Sequence, residues 1–171
     1  MMKEAGSFFM IVVGLLALCY CYICSQGGSP FAIAHQVAPV VSAQPSDYHA
    51  LARQDATNFG LNPDLFERQI QQESGFNPSA VSPAGAQGIA QIMPTTAQGW
   101  HVDPFNPVQA LSVAADHMAW YQSHYGSYAK ALAAYNAGTS SLDSALSRCG
   151  TYWRTCVPAE TQRYITAIMG A

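Results

Sequence analysis

The residues that first invite chemistry lie at the end of one helical pattern, Phe66-Glu67-Arg68-Gln69-Ile70-Gln71-Gln72-Glu73. Phe66, Ile70 and Glu73 are spaced i, i+4, i+7, so a helix puts them on one face. Glu73 then points where the apolar side chains point. It also sits at the helix C-terminus, the negative end of the macrodipole. Burial and the dipole both disfavour a carboxylate, so both raise its pKa. A carboxyl that stays protonated near neutral pH can protonate a leaving oxygen, which is what glycoside cleavage requires. The same spacing suits an acid that merely ends a helix at the surface. On the residues alone both readings are open.

Other chemistries find less support. His35, His49, His101, His117 and His124 form no HExxH arrangement, and no matched pair of CxxC motifs occurs, so no metal site is expected. Cys21-Tyr22-Ile23-Cys24 is formally CxxC but lies in a hydrophobic run rather than at a helix start. Gly85-Ala86-Gln87-Gly88 lacks the Lys-Ser/Thr of a phosphate loop. No cofactor is implied. The chain of 171 residues is half apolar and only a tenth charged, with a formal net charge of −3. No Lys/Arg run occurs, so no nucleic-acid partner is expected.

The elements that must position Glu73 are mostly helical. Ser46 can cap a helix reaching Asn58, with Gly60 beyond its end. Asn62-Pro63-Asp64 supplies a cap, a proline at the first helical position and an acid in the first turn. The helix it opens should run to about Glu73. The stretch from Gly75 to Gly88, with Pro78, Pro83 and Gly85, reads as a structured loop or short hairpin. A short helix is expected at Gly88–Met93, with another turn from Pro94. Asn106-Pro107 opens a helix to Tyr125, and Gly126 stops it. Ser127 opens another through Ala137, closed by Gly138. A last helix should span about Ala159 to Met169. No alternating strand pattern or internal repeat is visible, so the fold class is mainly α.

Ahead of these lies an uncharged run, Phe8–Cys24. As a helix it would be about 26 Å long, against about 30 Å of bilayer core. Lys3 precedes it and no Lys or Arg follows until Arg53, which favours an N-terminus in the cytoplasm and the remainder outside. Two readings stay open: an uncleaved membrane anchor, or a signal peptide cut after Ala32-Ile33-Ala34. Residues 27–46, rich in Gly and Pro, read as a linker. The expected organisation is thus an anchor or signal over residues 1–26, a linker over 27–46, and a single domain over 47–171.

Four blocks carry a family resemblance. They are Gln72-Glu73-Ser74-Gly75-Phe76-Asn77-Pro78-Ser79-Ala80-Val81-Ser82; then Gly85-Ala86-Gln87-Gly88-Ile89-Ala90-Gln91-Ile92-Met93-Pro94-Thr95-Thr96-Ala97; then Ala131-Leu132-Ala133-Ala134-Tyr135-Asn136-Ala137-Gly138; then Glu160-Thr161 with Tyr164. In this order they resemble the soluble lytic transglycosylase (SLT) family. The resemblance implies a lysozyme-like, goose-type fold with a small loop or hairpin lobe after the catalytic helix. It implies Glu73 as the single catalytic acid. Ser82 would orient the substrate near the reacting sugar, and Gln91, Tyr135 and Asn136 would line the cleft. Ser74 would support local structure.

The reaction implied is cleavage of the β-1,4 bond between N-acetylmuramic acid and N-acetylglucosamine in peptidoglycan, with 1,6-anhydro ends. Two alternatives accompany it. One is a goose-type lysozyme-like hydrolase. The other is a peptidoglycan-binding structural component of secretion, conjugation or phage-penetration machinery. The expected partners are glycan strands and, through the N-terminal helix, a membrane. The expected location is the inner membrane facing the periplasm, or outside the cell after signal cleavage, or a virion membrane. One departure is Ala90, where the family carries a methionine expected to line the cleft. Trp100, Trp120, Tyr121, Tyr125 and Tyr128 read as core, with one or two aromatics, Tyr135 foremost, able to stack on sugar. His117 and His124 read as a surface or packing coincidence. The segment Thr139–Val157 carries Cys149 and Cys156. Outside the cytoplasm these could close a short disulfide loop worth about 2–3 kcal/mol; otherwise they are two free thiols.

Overall fold

The structure is a computed structural model that describes residues 47–170. The expected anchor or signal over residues 1–26 and the linker over 27–46 lie outside the described residues. Within them there are seven α-helices: α1 (Asp47–Asn58), α2 (Pro63–Ser74), α3 (Pro94–Trp100), α4 (Pro107–Tyr125), α5 (Tyr128–Ala137), α6 (Thr139–Cys149) and α7 (Ala159–Met169). A 3₁₀ segment, Gly150–Cys156, joins α6 to α7 and kinks at Tyr152. Among the described residues no helix is long and apolar enough to cross a membrane.

Local chemistry sets the helix starts. The Asn62 side-chain oxygen accepts from the N–H groups of Asp64 and Leu65 at 2.9 and 3.3 Å. Asn106 does the same for Gln109 at 3.2 Å, and Ser127 for Lys130 at 3.3 Å. Each bond satisfies a donor that the first helical turn leaves unpaired. α2 ends at Gly75, whose left-handed φ of 60° lets its N–H return to the Gln71 carbonyl.

α5 is the centre of the packing. Ala131, Leu132, Ala133 and Ala134 are all buried, and the helix touches α4, α6 and α7. Small side chains allow several helices to approach one. α2 packs against α1 and α7, burying Phe66 and Ile70 completely. The fully buried Gln69 accepts from the Tyr128 hydroxyl at 2.9 Å, which fixes α5 against α2.

Between α2 and α3 the chain forms a small lobe. Val81 pairs with Gln87, and Gln87 with Ile92, in antiparallel bridges. The hairpin expected after α2 is therefore present in miniature. The short helix expected at Gly88–Met93 is not. Gln87 and Ile92 exchange both backbone hydrogen bonds, at 3.0 and 2.9 Å, so their N–H and C=O groups are spent across a turn rather than along a helix. Gln91 takes a left-handed φ of 50° to close that turn. Gly88 must be glycine on two counts. Its φ is +72°, and a Cβ there would lie 1.7 Å from the Pro104 carbonyl oxygen. Ser74 ties α2 to this lobe by donating to the Ile89 carbonyl at 2.6 Å.

Candidate active site

α2, the lobe, α5 and α7 meet around one cavity of about 330 Å³. All five residues singled out from the sequence line it: Glu73 from α2, Ser82 and Gln91 from the lobe, Tyr135 and Asn136 from the end of α5. Residues 63 positions apart in the chain, Glu73 and Asn136, thus line the same cavity. α7 adds Glu160 and Tyr164.

Glu73 is partly buried, and its carboxylate oxygen accepts a short hydrogen bond from the Tyr164 hydroxyl. Burial pushes the Glu73 carboxyl up to about 7, and the Tyr164 hydrogen bond pulls it the other way. Burial wins because removing a carboxylate from water costs more than one neutral donor returns. Tyr164 and Tyr135 are both held well above the ordinary phenol range, first by burial and then by the charge on Glu73. Both therefore stay protonated and act as donors. Tyr135 donates to the Ala90 carbonyl at 2.8 Å, which sets the ring against the lobe.

The remaining site residues shape the cavity through their own bonds. The Ser82 hydroxyl oxygen accepts from the Ala86 N–H at 3.0 Å and closes the lobe's turn. The Gln91 amide nitrogen donates to the carbonyls of Gly88 at 2.9 Å and Ala80 at 3.4 Å. The Asn136 side-chain oxygen accepts from the Thr161 hydroxyl at 2.8 Å and joins α5 to α7.

One expectation needs correcting. Ala90 does not line the cleft; it is fully buried, and its carbonyl is the seat of Tyr135. The departure from the family's methionine falls on core packing beneath the site. Two residues went unassigned from sequence: Tyr164, the partner of Glu73, and Glu160 at the cavity's exposed rim. Their signal was the i, i+4 spacing within the fourth block, which puts both on one face of α7. Among the described residues no group of three or more His, Cys, Asp or Glu could hold a metal ion.

A lone protonated acid, a phenol donor and a polar cleft can do acid-catalysed bond cleavage. Comparison with known proteins narrows this. The transglycosylase SLT domain matches residues 50–153. The chain belongs to this family. Its SLT domain is 34% identical over 86 residues to a transglycosylase of Enterobacteria phage PRD1, covering 50% of this chain and 32% of that one. It is 36% identical over 67 residues to membrane-bound lytic murein transglycosylase C of Mannheimia succiniciproducens, covering 39% and 19%. The chain thus spans a third or less of the length of these curated relatives. The fold is similar to that of the 70 kDa soluble lytic transglycosylase of Escherichia coli, with a TM-score of 0.64 at 23% identity, over 71% of this chain and 23% of that one.

Proposed function

We propose that this SLT domain is a peptidoglycan lytic transglycosylase in which Glu73 is the catalytic acid and then the base. The observation that carries the reading is the position of Glu73. Its carboxyl is raised to about 7 and faces a cavity lined by the family's cleft residues. Protonated Glu73 gives its proton to the oxygen linking N-acetylmuramic acid to N-acetylglucosamine, and the bond to the muramic C1 breaks. The substrate's acetamide stabilises the cationic carbon. The Glu73 carboxylate then takes the proton of the muramic C6 hydroxyl as that oxygen bonds to C1. The products are a free N-acetylglucosamine end and a 1,6-anhydro end, with no water consumed. We place the domain outside the cytoplasm, where peptidoglycan lies, delivered by the apolar N-terminal run acting as an anchor or a signal.

Hydrolysis is the second reading, favoured by one observation: Glu160 lines the same cavity and offers a carboxylate that could activate water. Digestion of purified peptidoglycan followed by mass spectrometry separates the two. Anhydro ends are expected, and reducing ends, heavier by one water, would give the reaction to the hydrolase. Glu73→Gln is expected to lower the rate by about 100-fold or more. Undiminished release by that variant would remove Glu73 from the chemistry.

A further inference from the structure

Beyond the Glu73 cavity the cleft continues. A second cavity of about 410 Å³ shares Gln91, Met93 and Tyr135 with the first and is walled by Trp100 and Tyr121. A third, of about 380 Å³, shares Trp100, Tyr121 and Thr139 with the second and adds Asp116, His117 and Trp120. The three are therefore one groove that leads away from Glu73 along α4.

Its far end is aromatic. Trp100 and His117 stack with ring centroids 3.8 Å apart and planes 12° apart. Trp120 stacks on His124 at 4.8 Å and 7°, and Tyr121 meets its edge at 5.5 Å. Trp120 is nonetheless 54% exposed. A large apolar ring left in water costs stability, and here neighbours on two sides hold it in one orientation. An exposed aromatic whose neighbours hold it at the end of a groove offers a flat apolar face on which a ligand can stack. Burial holds the His117 imidazole below its ordinary range, against the pull of Asp116, so near neutral pH it presents a flat neutral ring.

We infer that Trp100, His117 and Trp120 form a distal sugar-binding shelf, which takes N-acetylhexosamine units of the glycan strand remote from the cut and makes the enzyme favour long strands; this rests on the peptidoglycan reading above. A pyranose offers C–H groups to an aromatic face, whose electron-rich surface attracts them. Its hydroxyls project at the ring's rim, where Asp116 can accept and Thr139 can donate or accept. Apolar stacking surface with a few polar groups at the edge is the usual make-up of a small-ligand site. Continuity with the Glu73 cavity names the occupant, because a strand threaded past Glu73 must continue along this groove. Neither tryptophan belongs to the four sequence blocks.

The test uses the full chain carrying Glu73→Gln, so that binding is read without turnover. β-1,4-linked N-acetylglucosamine oligomers of three and six units are titrated against it by tryptophan fluorescence and calorimetry. The hexamer should bind about tenfold more tightly than the trimer. Adding Trp120→Ala should bring the hexamer-to-trimer ratio close to one, and Trp120→Phe should restore most of it. With Glu73 intact, Trp120→Ala should lower kcat/KM on peptide-free glycan strands by about tenfold, through KM. A hexamer-to-trimer ratio that is close to one in the parent, or that survives Trp120→Ala with parental circular dichroism, overturns the shelf. Length-dependent binding lost on Trp120→Ala supports it even if the wild type releases no anhydro product, a result that would count against the lytic reading alone.

Discussion

At the residue scale the site turns on one carboxyl with two opposed influences. Burial raises Glu73 to about 7 and the Tyr164 hydroxyl lowers it. The starting acid must be protonated, so activity should be full below about pH 7 and fall as pH rises through that value. Tyr164→Phe removes the donor that favours the charged form. The carboxyl should then be harder to ionise, and the alkaline limb of the kcat/KM profile should move to higher pH. The rate on the plateau should fall by up to about 100-fold, because Glu73 also loses the bond that aims it. Steady-state rates from pH 5 to 9 check both effects; an alkaline limb that stays in place or moves down would refute the assignment of the pair. The spacing from Phe66 and Ile70 puts Glu73 on an apolar helix face but leaves a surface role open, and the ordered blocks around it carry the assignment. The fourth block contains Tyr164, but its pairing with Glu73 was not legible, since the two stand 91 residues apart and meet only after α2 packs on α7.

Elements that carry their own capping chemistry were legible. Asn62, Asn106 and Ser127 each satisfy a donor two or three residues ahead, so the starts of α2, α4 and α5 follow from neighbours in sequence. The lobe does not work that way. Its turn at Gly88–Met93 is decided by cross-bridges and by the approach of Pro104, both invisible to local periodicity. Two glycines separate these causes. Gly88→Ala meets the Pro104 carbonyl as well as an unfavourable φ, whereas Gly126→Ala, at a φ of +76°, meets nothing within 4 Å. Gly126→Ala should therefore cost only about 1–2 kcal/mol of backbone strain. Gly88→Ala should cost more than about 3 kcal/mol and shift the loop bearing Ser82 and Gln91, with activity falling further than stability. Urea unfolding of the two variants side by side checks the order. Equal losses would mean that the close approach to Pro104 contributes nothing.

Across the whole molecule the least legible part was the stretch after Gly138. α6 has no side-chain cap at its start and buries only Leu142 and Ala145, too few apolar positions to declare a helix. The 3₁₀ segment that follows buries none. Leu142, Ala145 and the partly buried Leu146 and Trp153 pack this stretch against the core, and covalent and polar links add to them: Cys149 and Cys156 are joined by a disulfide with their Cα atoms 6.5 Å apart. Arg148 donates to the Cys156 carbonyl at 3.2 Å, and Arg154 donates to Thr166 of α7 at 2.9 Å. A segment with so little core has weak packing to resist opening, so constraint of its unfolded chain should count for much. Closing a loop with a sequence separation of 7 should contribute about 2–3 kcal/mol. The double variant Cys149→Ser, Cys156→Ser should lose that amount in urea unfolding, and reduction of the wild type should match it. Cleavage at 25 °C should persist, because α7 is also held against α2 directly, with Arg68 donating to the Ile168 carbonyl at 3.4 Å. Hydrogen exchange should then speed up over residues 139–157 ahead of α2 and α5, marking the segment as the first to open. Identical stability and exchange in the oxidised and serine forms would mean that packing alone holds the segment, and that the disulfide is incidental to the fold.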